Sequence, residues 1–154
     1  MAGFQLRSYD PPMTTSLLGA WRLVRWQIDY DDGRPPTFPY GDAEGLLSYT
    51  ADGWMSALIS QPNRARLSTG NVRAAPEAER LAAFDSFFSY AGRYEVRGTQ
   101  VVHTVAHALN PNFPGTEQVR DMTFGADGTL TLSAEDTLPG TAVRRTHRLV
   151  WRRP

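Results

Sequence analysis

The chain of 154 residues is long enough for one domain with an enclosed core and too short for two of comfortable size. Apolar residues make up 41% and charged residues 21%, which argues against a disordered chain, and the sixteen basic residues are cancelled by sixteen acidic ones, so no net charge draws the chain to nucleic acid. Cysteine and lysine are both absent, which removes disulfides, thiolate chemistry and Schiff-base catalysis, a lysine-bound pyridoxal cofactor included.

Residues 1–16 read as a tail broken by Pro11-Pro12, and residues 17–154 as the folded domain. The tail carries Arg7 and Asp10 where a signal peptide needs an apolar stretch, and no apolar run is long enough to span a bilayer, so a cytoplasmic protein without membrane contact is expected. Residues 21–30 alternate as a strand with large side chains on both sets, Trp21 and Leu23 against Val24, Trp26, Ile28 and Tyr30. Asp31-Asp32-Gly33 turns the chain, and Pro35, Pro36 and Pro39 keep the next stretch irregular. Strands 46–50 and 54–59 flank Ala51-Asp52-Gly53, a hairpin signal.

Residues 61–75 have no period and predict a long, mobile loop. Residues 76–90 predict the one helix: Pro76 suits its first turn, Glu77 and Glu79 complement its dipole, and Gly92 ends it. Its Leu81, Phe84, Phe88 and Ala91, with Phe87 beside them, form an aromatic face expected to pack on the rest of the fold. Strands 93–97, 100–109, 116–124, 129–135 and 143–152 follow, separated by short Gly-, Asn- or Pro-containing turns. Eight strands so connected predict an all-β, up-and-down antiparallel barrel, with a seven- or eight-stranded sandwich as the alternative. The five arginines between 144 and 153 split between two strand faces, which does not make a nucleic-acid footprint.

Several ordered blocks carry a family resemblance. They are Gly19-Ala20-Trp21-Arg22-Leu23-Val24, the run from Gly45 to Ala57, Gly92-Arg93-Tyr94-Glu95-Val96, the run from Asn110 to Arg120, and Leu149-Val150-Trp151-Arg152. Together they resemble the bacterial and fungal lipocalin-like domain family over residues 17–153. The resemblance implies a lipocalin-like barrel with a hydrophobic small molecule inside. It also implies that Trp21 closes the barrel floor under a late arginine, Arg152 or Arg153. Related barrels include carriers and cofactor-free enzymes. Members often carry two adjacent histidines where this chain has His103-Thr104, and only His103 matches; His107 falls where a small residue is expected.

Strand parity then nominates the site. With Trp21 inward, Leu23, Arg25, Gln27 and Asp29 follow it inward, and Gln118, Arg120 and Met122 share one face with Phe124. Arg120 inside an apolar barrel needs a partner, either Asp29 or Glu95 or a ligand anion. His103, Val105, His107 and Leu109 share a face, as do His147, Leu149 and Trp151. His103 and His107 lie about 13 Å apart on an extended strand, so they do not chelate one ion, and no metal is expected unless His147 meets one of them across the barrel. The expected lining is thus Trp21, Arg25, Tyr49, Met55, His103, Gln118, Arg120, Met122 and His147.

Two functions remain open. One is a module that sequesters a small, largely apolar metabolite. The other is a cofactor-independent isomerase, cyclase, lyase or hydratase with His103 as general acid or base and Arg120 and Tyr94 stabilising negative charge. Against the catalytic reading, a histidine on a barrel strand is more often a structural one bonded to a neighbouring tyrosine, and that reading of His103 carries about twice the weight. No Gly-x-Ser-x-Gly elbow, dinucleotide fingerprint or P-loop is present, so neither a serine hydrolase nor a nucleotide cofactor is expected. The expected partner is a small molecule, and a homodimer is the one assembly left open.

Overall fold

The computed structural model describes residues 16–154; the tail expected over 1–16 lies, but for Ser16, outside the described residues. Eight strands run in chain order: β1 (Gly19–Tyr30), β2 (Glu44–Tyr49), β3 (Trp54–Ser60), β4 (Phe87–Arg97), β5 (Gln100–Ala108), β6 (Glu117–Phe124), β7 (Thr129–Thr137) and β8 (Arg144–Arg152). Each pairs antiparallel with its neighbour, and β1 pairs with β8, so the sheet closes into a barrel without a free edge. The sandwich alternative is thereby set aside. The β2–β3 hairpin turns where expected, on Gly53 at φ +89°, a conformation that favours a residue without a side chain.

The helix α1 (Glu77–Asp85) is inserted after β3, with a 3-10 turn at Val72–Ala74 before it. It stops five residues short of the expected end. Residues 87–90 instead pair with β3, from Ser60↔Phe87 to Ala57↔Tyr90, because sheet hydrogen bonding overrides the helical spacing of their aromatic side chains. The expected aromatic face is therefore divided. Leu81 and Phe84 stay on the helix and are 59% and 48% exposed, while Phe88 and Tyr90 turn into the barrel from β4.

Two bulges reset the parity of strands. On β1, Leu23 pairs with Trp151 and Arg25 with the adjacent Val150, so Val24 is extra. Beyond it Trp26 and Ile28, rather than Arg25, face the interior; Arg25 is exposed, and the large residues on both sets of β1 are explained by this switch. On β5, Ala91 pairs with His107 and Gly92 with Val105, leaving Ala106 extra. His103 and Val105 face inward before it, and His107 is exposed after it.

The barrel is plugged at the end where β1 starts. Trp21 is buried, its Nε1 donates to Leu17 O at 2.8 Å, and the Arg153 guanidinium carbon lies 3.8 Å from the indole centroid. Arg153 also donates to the carbonyls of Ser16 and Leu18, whereas Arg152 faces Asp127 at 3.6 Å. Arg153, then, is the arginine over the tryptophan. Arg153→Met should lower stability by about 1–3 kcal/mol, the sum of a desolvated cation–π contact and charged hydrogen bonds. Chemical denaturation checks this, with Arg152→Met expected to change little because its ion pair is exposed. Arg144, Arg145 and Arg148 likewise each hold an aspartate, Asp31, Asp136 and Asp29 respectively.

Candidate functional site

At the end opposite Trp21 the barrel encloses a cavity of about 280 Å³. Its walls are mostly apolar, with Leu47, Ile59, Phe88, Leu132, Leu149 and Trp151 among them. The polar side chains that line it include Tyr90 from β4, His103 from β5, Gln118 and Arg120 from β6, and His147 from β8. The exposed carboxylates Glu135 and Asp136 stand at its rim, where β7 ends.

His103 is 1% exposed and engaged on both ring nitrogens. Its Nε2 and the Tyr49 hydroxyl are 2.8 Å apart, as are its Nδ1 and the Tyr90 hydroxyl. Cross-strand pairing builds this arrangement: Tyr94 and Gln118 sit directly beside His103 on either side, and Tyr90 reaches it from the far side of the β4–β5 bulge. Burial, reinforced by the Arg120 charge, pushes the imidazole pKa down to about 3. Burial also raises the Tyr49 and Tyr90 hydroxyls above the ordinary tyrosine value, so all three groups are neutral near pH 7.

The His103 shift has a thermodynamic consequence. The folded pKa lies below the unfolded one, so the unfolded chain binds the proton first. The stabilisation is complete above about pH 6.5 and is lost as pH falls from there toward 3. Unfolding free energy should therefore drop by about 1.4 kcal/mol per pH unit across that window. His147, lowered by its own burial, adds in the same direction. Urea denaturation at a series of pH values checks the slope, which should be shallower in His103→Gln.

Arg120 is half-buried. Its guanidinium donates to Val119 O at 2.8 Å and to Gln118 Oε1 at 3.2 Å. Neither carboxylate expected as a partner pairs with it: Asp29 pairs with Arg148 and Glu95 with Arg97. No ion pair to Arg120 forms among the described residues. Gln118 is used at both ends, since its Nε2 donates to Thr116 Oγ1 at 3.0 Å. On β8, His147 Nδ1 accepts from Trp26 Nε1 at 3.4 Å; its Nε2 is 3.4 Å from Asp136 Oδ2, without hydrogen-bond alignment.

Of the residues nominated from the sequence, His103, Gln118, Arg120 and His147 come together at the cavity. Trp21, Tyr49, Met55 and Met122 are buried in the core toward the plugged end, so Trp21 does not share the space of Arg120. Tyr94 lies beside them, its hydroxyl donating to Thr50 O at 2.9 Å. Arg25 is on the outer surface because of the Val24 bulge. Trp26, Phe88 and Tyr90 line the cavity without having been nominated. The period of two through Phe88, Tyr90 and Gly92 is the signal that finds the last two. Trp26 is reachable only by allowing β1 to change parity. Among the described residues no three side chains of the metal-ligating types converge.

A family model described as lipocalin-like domain matches residues 18–154. No curated protein matches the sequence at a significant level. Among solved structures, a redesigned β-barrel is similar over 92% of this chain and 94% of its own, at 12% identity and a TM-score of 0.40.

Proposed function

Since this chain belongs to the lipocalin-like domain family, we propose that it binds a small, largely apolar molecule in the open half of the barrel, with an anionic or carbonyl group of that molecule on Arg120. The carrying observation is a guanidinium at an apolar cavity that forms no ion pair with a carboxylate among the described residues. A charge so placed favours a ligand that supplies the missing acceptor. The volume is at the low end for small-molecule sites, which points to a compact ligand rather than a long chain. Binding is favoured over acid–base catalysis at His103, because an imidazole with both nitrogens occupied by tyrosines and a pKa of about 3 neither takes nor gives a proton readily near neutrality.

Trp26 and Trp151 line the cavity, so tryptophan fluorescence reports its occupancy directly. Titration with 2-naphthoate, a compact aromatic carboxylate, should give saturable one-to-one quenching. Absence of saturable binding by this acid and by its neutral ketone counterpart, 2-acetylnaphthalene, would overturn the proposal.

A further inference from the structure

Resting on the binding reading above, we infer that the cavity presents only hydrogen-bond donors at its polar end, with Tyr90 fixed as one of them by the Tyr49–His103–Tyr90 chain, and so selects a ligand head group that only accepts. Two tyrosine hydroxyls and one neutral imidazole carry three hydrogens, and the two contacts at 2.8 Å use two of them.

The spare hydrogen sits on one tyrosine or the other. If Nε2 holds the imidazole proton, it donates to Tyr49, and the Tyr49 O–H must find another acceptor. Tyr49 is 2% exposed, does not line the cavity, and has no other hydrogen-bond partner among the described residues. A buried donor would be stranded there. If Nδ1 holds the proton, Tyr49 donates to Nε2, Nδ1–H donates to Tyr90, and the spare O–H belongs to Tyr90, which does line the cavity. Every hydrogen inside the core is then used, and the remaining one faces the ligand space.

The other polar groups agree in sign. Trp151 Nε1–H is buried, lines the cavity and has no acceptor among the described residues. Arg120 donates only, and Gln118, whose Oε1 already accepts from Arg120, keeps a second Nε2 hydrogen to donate beyond the one given to Thr116. His147 receives the Trp26 N–H on Nδ1, which places its own proton on Nε2. The lining's carboxylates, Glu135 and Asp136, are confined to the exposed rim, and Asp136 is held by Arg145. A ketone or carboxylate fits these donors; an amine or an alcohol leaves a donor facing a donor.

Two measurements test the inference separately from the binding reading. Nitrogen-15 NMR of the free protein at pH 7 should show His103 with a protonated, pyrrole-type Nδ1 and an unprotonated, pyridine-type Nε2; the reverse assignment overturns the inference without any ligand. In fluorescence titrations, 2-acetylnaphthalene should bind more tightly than 2-ethylnaphthalene or 2-naphthylmethylamine, and Tyr90→Phe should cut the preference for the ketone over the hydrocarbon by roughly three- to tenfold. Preference for the amine, or a ketone preference untouched by Tyr90→Phe, overturns the donor subsite while leaving binding intact. If no naphthalene binds but Nδ1 carries the proton, the binding reading falls and the hydrogen-bond chain stands.

Discussion

Gly92→Ala is expected to be the most damaging single-methyl change in this barrel. A β-carbon built on Gly92 would lie 2.0 Å from Thr104 O and 2.9 Å from Ala106 N, both backbone atoms that cannot swing aside. The close approach exists because β5 carries its extra residue, Ala106, opposite this point, and only a residue without a side chain lets the two strands stay paired there. Overpacking against backbone costs about 3 kcal/mol or more, enough to lower the melting temperature by roughly 10 °C. Gly70→Ala, with no described residue within 4 Å of the new methyl, serves as the control and should melt like the parent. A Gly92→Ala protein within about 1 kcal/mol of the parent would mean that β4 and β5 do not meet in this register.

The same bulge explains where sequence reading succeeds and where it fails. The number of strands, their antiparallel order and the inserted helix follow from alternation and from turn residues such as Asp52-Gly53, all of them local signals. So does the gathering of His103, Gln118 and Arg120, because no bulge interrupts β6 or the first half of β5. Parity fails wherever one extra residue intervenes. Arg25 and His107 both lie just past a bulge, and each faces opposite to the expected direction. The helix boundary fails for a different reason: residues 87–91 satisfy helical and strand periods alike, and only the availability of β3 as a pairing partner decides between them. The Tyr49–His103–Tyr90 chain joins β2, β4 and β5, and such a contact has no trace in local sequence. Of the lipocalin-like expectations, the floor of Trp21 under Arg153 is the one the structure reproduces most directly.

The second large effect concerns Arg120. Arg120→Met keeps length and apolar bulk but deletes the charge, and should weaken 2-naphthoate binding by about one to two powers of ten, the value of a charge-assisted contact worth roughly 1.5–3 kcal/mol. Stability should change by less than about 1 kcal/mol, because among the described residues the guanidinium holds no carboxylate that its loss would strand. The hydrocarbon 2-ethylnaphthalene is the internal control: its affinity should stay level or rise as the cavity becomes more apolar. Equal loss for acid and hydrocarbon would show that the variant has collapsed the cavity rather than removed a contact. Unchanged binding of the acid would show that Arg120 does not meet the ligand.

The most direct measurement is a crystal structure of the protein with 2-naphthoate. The naphthalene ring is expected between Phe88, Leu132 and Trp151, with the carboxylate within hydrogen-bond distance of the Arg120 guanidinium and the Tyr90 hydroxyl, and the His103 contacts to both tyrosines retained. A naphthoate lodged outside the barrel, or one inside it with the carboxylate turned to the rim and Arg120 still bonded only to Val119 and Gln118, would contradict this placement.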